Sequence, residues 1–193
     1  MKVFLDFEAS SLARNSYPIE VAWVFQDGRS ETHLIAPAAD WTDWDEEAQA
    51  IHGISRDTLV ARGEPVSSVA TRMIEALTDH DLFASAPSWD GKWLSTLLRG
   101  AGLPRHTLRL RDTDEALRET ASDFLRAVIT PAKLDAEIHT IVAGSAVGDD
   151  VVPAHRALQD AQGEHARWLR VQAAARLRAA EQPRLLTVLP PSC

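Results

Sequence analysis

The chain has 193 residues, 45% hydrophobic and 25% charged, the composition of one folded domain with a full core. Its formal net charge of -8 argues against tight, non-specific duplex binding, which basic surfaces achieve through phosphate contacts. No apolar run approaches the roughly 18–20 residues of a membrane span, so no membrane partner is expected, nor a signal peptide at the strand-like N-terminus.

Val3, Phe4 and Leu5, extended by Phe7, read as a strand buried on both faces. Two carboxylates fall at its end. Residues two apart in a strand share a face, so Asp6 and Glu8 project together, about 7 Å apart along the backbone. Like charges beside a core are unfavourable unless a cation lies between them or one is protonated, so the pair calls for a metal. A strand that ends in a polar turn, with both acids in water, is the other reading of this stretch.

A polar connection over Ser10–Ser16 leads to Tyr17–Gln26, rich in β-branched and aromatic residues, with the turn signal Asp27-Gly28 behind it. Glu31–Ile35 is the returning strand, so the chain opens as a three-stranded meander. A short helix is expected around Asp45–Ile51, stopped by Gly53, with Trp41 and Trp44 stapling the segment to the body. His52, on its own, reads as an exposed cap residue. Pro65–Leu77 places Val66, Val69, Ala70, Met73, Ile74 and Leu77 at helical spacing.

Asp81–Ala86 reads as a short strand, followed by a helix that carries Trp93, Leu94, Leu97 and Leu98 and closes at Gly100. Asp90 falls at that helix's N-terminal edge, where an N-cap role is the plain structural reading. His106–Arg111 alternates as a further strand. Helices are expected over Asp114–Ile129, Leu134–Val142 and His155 to about Ala180, with a flexible connection from Gly144 to Pro153. Arg167, Arg170, Arg176 and Arg178 give the last helix a basic side, most simply a solvated face. The tail from Pro183 ends at Cys193. That single cysteine excludes a disulfide framework and makes the reducing cytosol the expected compartment. The pattern predicts an α/β fold: a mixed five-stranded sheet flanked by helices, with one domain over residues 1–180 and a tail over 181–193.

Asp90 and Asp160 are the acids that can join Asp6 and Glu8. His155 and Asp160 stand five apart, about 140° on an ideal helix and too wide for one face. Pro153 places the helix start near His155, which leaves His155 on the first turn or the loop before it and Asp160 fixed one turn in. Four carboxylates suit two hard cations such as Mg²⁺ or Mn²⁺, and a neutral His155 suits a base. Zinc is disfavoured, because the chain lacks clustered His and Cys.

Asp6-Phe7-Glu8, the Asp90 segment and His155-Arg156-Ala157-Leu158-Gln159-Asp160 resemble the three motifs of the DEDDh (DnaQ-like) 3′–5′ exonucleases. Ile51-His52-Gly53-Ile54-Ser55 is similar to that family's His-Gly-Ile-Thr loop. Glu20 and the meander sit where the family would have them. The resemblance covers about residues 1–175. It implies a ribonuclease H-like fold and removal of nucleoside 5′-monophosphates from the 3′ ends of single-stranded DNA or RNA. It also implies Asp6, Glu8, Asp90 and Asp160 as ligands of two Mg²⁺ or Mn²⁺ ions. His155 would be the general base, with Glu8 beside it in the catalytic set. Phe7, Ala9, Leu12, His52 and Trp89 would meet substrate, Leu12 by packing against the terminal base.

The sequence departs from the family at two places. Ala9-Ser10-Ser11 replaces the usual Thr-Thr-Gly, and Ser85-Ala86-Pro87-Ser88-Trp89-Asp90 replaces His-Asn-x-x-Phe-Asp. Neither removes a ligand, and both bear on substrate choice. A non-catalytic nucleic-acid-binding or interaction module and a small-nucleotide phosphodiesterase are the alternatives. Sugar preference and oligomeric state are not encoded in any recognisable motif; a homodimer is compatible with the sequence.

Overall fold

The computed structural model describes residues 1–146 and 155–181. The later part of the connection expected up to Pro153, and the tail from Pro183 to Cys193, lie outside the described residues. The elements in order are β1 (Lys2–Ala9), β2 (Pro18–Phe25), β3 (Ser30–Leu34), α1 (Glu46–His52), α2 (Arg56–Arg62), α3 (Val66–Leu77) and β4 (Asp81–Ala84). They continue with α4 (Pro87–Gly100), β5 (Leu110–Asp112), α5 (Thr113–Leu125), α6 (Pro131–Gly144) and α7 (Ala157–Ala180). Among the described residues no helix is long and apolar enough to cross a membrane.

These elements form two compact units: residues 1–113 with 155–165, and residues 114–146 with 166–181. The first holds the five-stranded mixed sheet, ordered β3-β2-β1-β4-β5. The meander is antiparallel, whereas β1–β4 and β4–β5 run parallel. The expected α/β architecture is the one observed.

β1 shows why the sheet is built as it is. Its period of two sends Val3, Leu5, Phe7 and Ala9 into one core, together with Trp23 of β2, Met73 of α3 and Leu97 of α4. Phe4, Asp6 and Glu8 share the opposite face. There the Phe4 ring lies 6.0 Å from Phe83 and 5.9 Å from His165 at the N-terminal part of α7. Ala157 and Ala161 are fully buried, small enough for α7 to lie close.

Local signals account for most boundaries. Asp45 caps α1 by accepting from the Glu47 N–H, and Gly53 ends it with a left-handed φ of 70°. Trp41 stacks on Tyr17 with ring centroids 5.1 Å apart, and Trp44 donates to Gln49 Oε1 at 3.2 Å. Three expectations are corrected. Helix α2 was not foreseen, because Leu59 is its only buried residue and no apolar period marks it. Its start was legible in Ser55, which accepts from the Thr58 N–H. Helix α4 begins earlier than expected, at Pro87, whose fixed φ suits a first helical position. Residues 104–107 form a turn, with the Thr107 N–H donating to the Pro104 carbonyl at 3.1 Å, so the last strand shrinks to Leu110–Asp112.

In the second unit the arginines of α7 make contacts within the chain, while Arg170 and Arg176 stay exposed, as the solvated-face expectation has it. Arg178 forms a two-pronged pair with Glu137 at 2.9 and 2.7 Å, and Arg167 lies 3.1 Å from Asp114. Arg170 donates to the Ser145 carbonyl, and Arg176 lies over the Phe124 ring at 5.4 Å. Trp168 Nε1 donates to Thr120 Oγ1 at 2.8 Å.

Gly63, just after α2, is tightly enclosed. A Cβ there would overlap the Leu59 carbonyl oxygen and sit 2.5 and 2.8 Å from main-chain atoms of Ala36. Gly63→Ala is therefore expected to destabilise the fold by about 1–3 kcal/mol, measured by urea denaturation. An unchanged midpoint would contradict this packing.

Candidate active site

The sheet delivers its acids at the carboxyl ends of its parallel strands. Pairing of β1 with β4 ends at Phe4↔Phe83, so Asp6 and Glu8 project beyond the last paired rung. Asp6 lies opposite Ala22 and Glu8 opposite Glu20 in the β1–β2 register. Asp90 arrives on the first turn of α4, directly after β4. The N-cap position belongs to Ala86, with no side-chain cap bond, so the capping role considered for Asp90 is not what the structure has. Asp160 comes from the first turn of α7.

Carboxylate oxygens of Asp6, Glu8 and Asp160 lie within 4.8 Å of one another. Asp90 stands outside that set but is 2% exposed, and its Oδ2 is buried with no hydrogen-bond partner. The electrostatics match the crowding. Burial, reinforced first by Asp90 and then by Glu8 and Asp160, pushes the Asp6 carboxyl up to about 9. Burial and the charge of Asp160 raise Glu8 to about 8, although the Arg156 guanidinium pulls it back. Burial raises Asp90 to about 7, against main-chain N–H groups of Ala86 and Phe7 that favour its charged form. An all-oxygen donor set with raised carboxyls and one orphaned buried oxygen fits hard divalent cations.

His155 precedes α7 in a left-handed conformation, φ 49°, which is uncommon for a residue with a side chain. It lines a cleft of about 280 Å³ together with Glu8, Ala9, Ser11, Leu12, Ala48, Ile51, His52 and Trp93. The turn is held by Glu20. Its carboxylate is 2% exposed and accepts from Arg156 at 2.6 and 3.1 Å and from the Ala157 N–H at 3.0 Å.

Among the residues assigned to substrate, Ala9, Leu12 and His52 line the cleft. His52 is 5% exposed, which corrects the exposed-cap reading. Its Nδ1 accepts from the Ile54 N–H at 3.0 Å, and burial lowers its pKa. Trp89 is 39% exposed and stacks on Trp93 at 5.7 Å rather than lining the cleft itself. Phe7 corrects its assignment: its side chain belongs to the core, and only its main-chain N–H turns toward Asp90. Sequence reasoning did not single out Glu164, whose charge acts on Asp6, or the cleft wall of Trp93. Glu164 was findable, because it follows Asp160 by four residues on one helix face.

The fold resembles that of part of exonuclease I. E. coli exonuclease I in complex with a dA16 oligonucleotide matches with a TM-score of 0.63 at 18% identity over 92% of this chain. The zinc-ion-bound E. coli exonuclease I–ssDNA complex matches at 0.63 and 19% over 93%, and the moderately thermophilic exonuclease I of Methylocaldum szegediense at 0.59 and 18% over 88%. The chain spans 42% of each E. coli exonuclease I chain and 40% of the M. szegediense one. At this identity the likeness to exonuclease I is one of fold, ribonuclease H-like, with the mixed sheet described above. No family profile matches the chain, and no curated protein does.

Because Asp6, Glu8 and Asp90 bind protons more tightly folded than unfolded, their contribution to stability falls as pH rises from about 4 toward about 9. In EDTA the urea midpoint is expected to drop between about pH 5 and about pH 8, less so for Asp6→Asn. Mn²⁺ should recover more of the midpoint at the higher pH. A pH dependence identical in wild type and Asp6→Asn would contradict the burial of these acids.

Proposed function

We propose that this protein is a metal-dependent 3′–5′ exonuclease of the DEDDh type, releasing nucleoside 5′-monophosphates from single-stranded DNA or RNA. The observation that carries the reading is the convergence of Asp6, Glu8 and Asp160 within 4.8 Å, with the buried Asp90 acting on Asp6, and with Glu8 also lining the cleft that His155 lines. The match to exonuclease I structures, some holding oligonucleotides, supports the same reading.

Asp6, Glu8, Asp90 and Asp160 are the residues that would hold two Mg²⁺ or Mn²⁺ ions. Such ions supply the positive charge that readies a water and stabilises the leaving oxygen of a phosphodiester. The chain's own groups do the rest. A neutral His155 takes the proton of the attacking water at an imidazole nitrogen, a contribution of about 10²–10⁴ in rate. Glu8 reaches both the acid cluster and the cleft, so it aligns that water with the phosphodiester. Leu12, Ala9 and His52 hold the terminal nucleotide, Phe7 acts through its main chain, and Trp89 offers an exposed ring for the next base. Arg156 pairs with Glu20, and its charge also acts on Glu8.

A small-nucleotide phosphodiesterase is the second reading. The modest cleft and the net charge of -8 favour it, because a short substrate needs few phosphate contacts.

The test uses 5′-labelled single-stranded DNA and RNA with Mg²⁺, Mn²⁺ or EDTA. Wild type is expected to give a metal-dependent ladder shortening from the 3′ end. His155→Ala should slow it by about 10²–10⁴, and Asp6→Asn should abolish it with the fold retained. Intact oligonucleotides in every lane, with turnover of short nucleotide esters, would favour the second reading.

A further inference from the structure

The loop between β1 and β2 carries the Ala9-Ser10-Ser11 departure, and the structure gives its serines a partner. Asp43 Oδ2 accepts from Ser10 Oγ at 3.0 Å and from Ser11 Oγ at 2.6 Å. Each hydroxyl in turn accepts a main-chain N–H, Ser10 from Tyr17 at 3.1 Å and Ser11 from Ala13 at 2.9 Å. Bonds to an ionised acceptor are the stronger class, and the chain of donors leaves neither serine hydroxyl free to rotate. Both serines are buried, whereas Leu12, the next residue, is 69% exposed.

Asp43 also belongs to the segment that leads into α1. Two residues on, Asp45 caps that helix, and its own N–H donates to the Ser10 carbonyl at 3.1 Å. Helix α1 supplies Ala48, Ile51 and His52 to the cleft, while the β1 loop supplies Ser11 and Leu12. Asp43 therefore joins two walls of one cleft.

We propose that Asp43 is a positioning residue that fixes the Ser10–Ser11 turn against the α1 segment and so sets Leu12 at the rim for the terminal nucleotide. This rests on the nuclease reading of the same cleft. A rim that is already ordered loses little freedom when substrate arrives, so the benefit falls on substrate binding. The serines do here, through side-chain hydroxyls and a borrowed carboxylate, what a turn of other composition must do differently.

The experiment is a double-mutant cycle in kcat/KM on a single-stranded oligonucleotide, with Asp43→Ala, Leu12→Ala and the pair. Each single change is expected to lower kcat/KM about tenfold, mainly through KM, and the pair no further than either alone. Asp43→Asn, which keeps an acceptor oxygen, should recover most of the loss. A loss that multiplies in the pair, or Asp43→Ala at wild-type kcat/KM, overturns the proposal. If Asp43→Ala does not fold, Ser11→Ala takes its place in the cycle with the same expected coupling. If wild type cuts no oligonucleotide, the nuclease reading fails and the cycle is read from the Kd of a fluorescein-labelled oligonucleotide. Coupled losses there sustain the positioning role; independent losses, or no binding, overturn it.

Discussion

The structure depends on the register of β1. One face of that strand builds the core through Val3, Leu5 and Phe7, and the other presents Phe4 and then two carboxylates. A slip of one residue would send Asp6 and Glu8 into the apolar side and Leu5 and Phe7 out of it. The hydrophobic gain of the correct register therefore also fixes the site. Burial raises Asp6, Glu8 and Asp90, and repulsion from neighbouring acids adds to it at Asp6 and Glu8, so the fold holds a cluster that is unfavourable without compensating charge.

The second constraint is the entry to α7. His155 sits at a positive φ two residues before the helix, and Glu20 holds the turn by accepting from both Arg156 and the Ala157 N–H. A helix N-terminus is a natural place for an anionic partner, and here a buried side chain from the neighbouring strand provides it. The same arrangement places Asp160 against Asp6 and Glu8. Backbone strain at His155 is thus carried by a charged anchor that belongs to the sheet, which links fold stability to the position of the proposed base.

Much of this was legible in the sequence because it rests on short-range rules. The period of β1, the Asp27-Gly28 turn and the Gly53 stop of α1 are local, and so is the placement of His155 at or just before the start of the helix that carries Asp160. Helix α2 was not legible, since seven residues with one buried side chain leave no periodic trace. The strand expected at His106–Arg111 was misread because Leu108 is buried from a non-strand segment, so alternation there reports packing without pairing. Phe7 was drawn into the site by its neighbours, although strand alternation already turns its side chain away. The partners of Glu20 lie 136 and 137 residues away and those of Asp43 32 and 33, separations that no local pattern encodes.

On the proposed reading, Asp6, Glu8, Asp90 and Asp160 form one cation site. Anomalous diffraction from crystals grown with Mn²⁺ and a nucleoside 5′-monophosphate tests it most directly. Two manganese peaks among these four carboxylates, with the phosphate beside them and His155 turned toward it, are the expected result. A map with no manganese at these residues, or with the ion held elsewhere on the chain, would contradict the account.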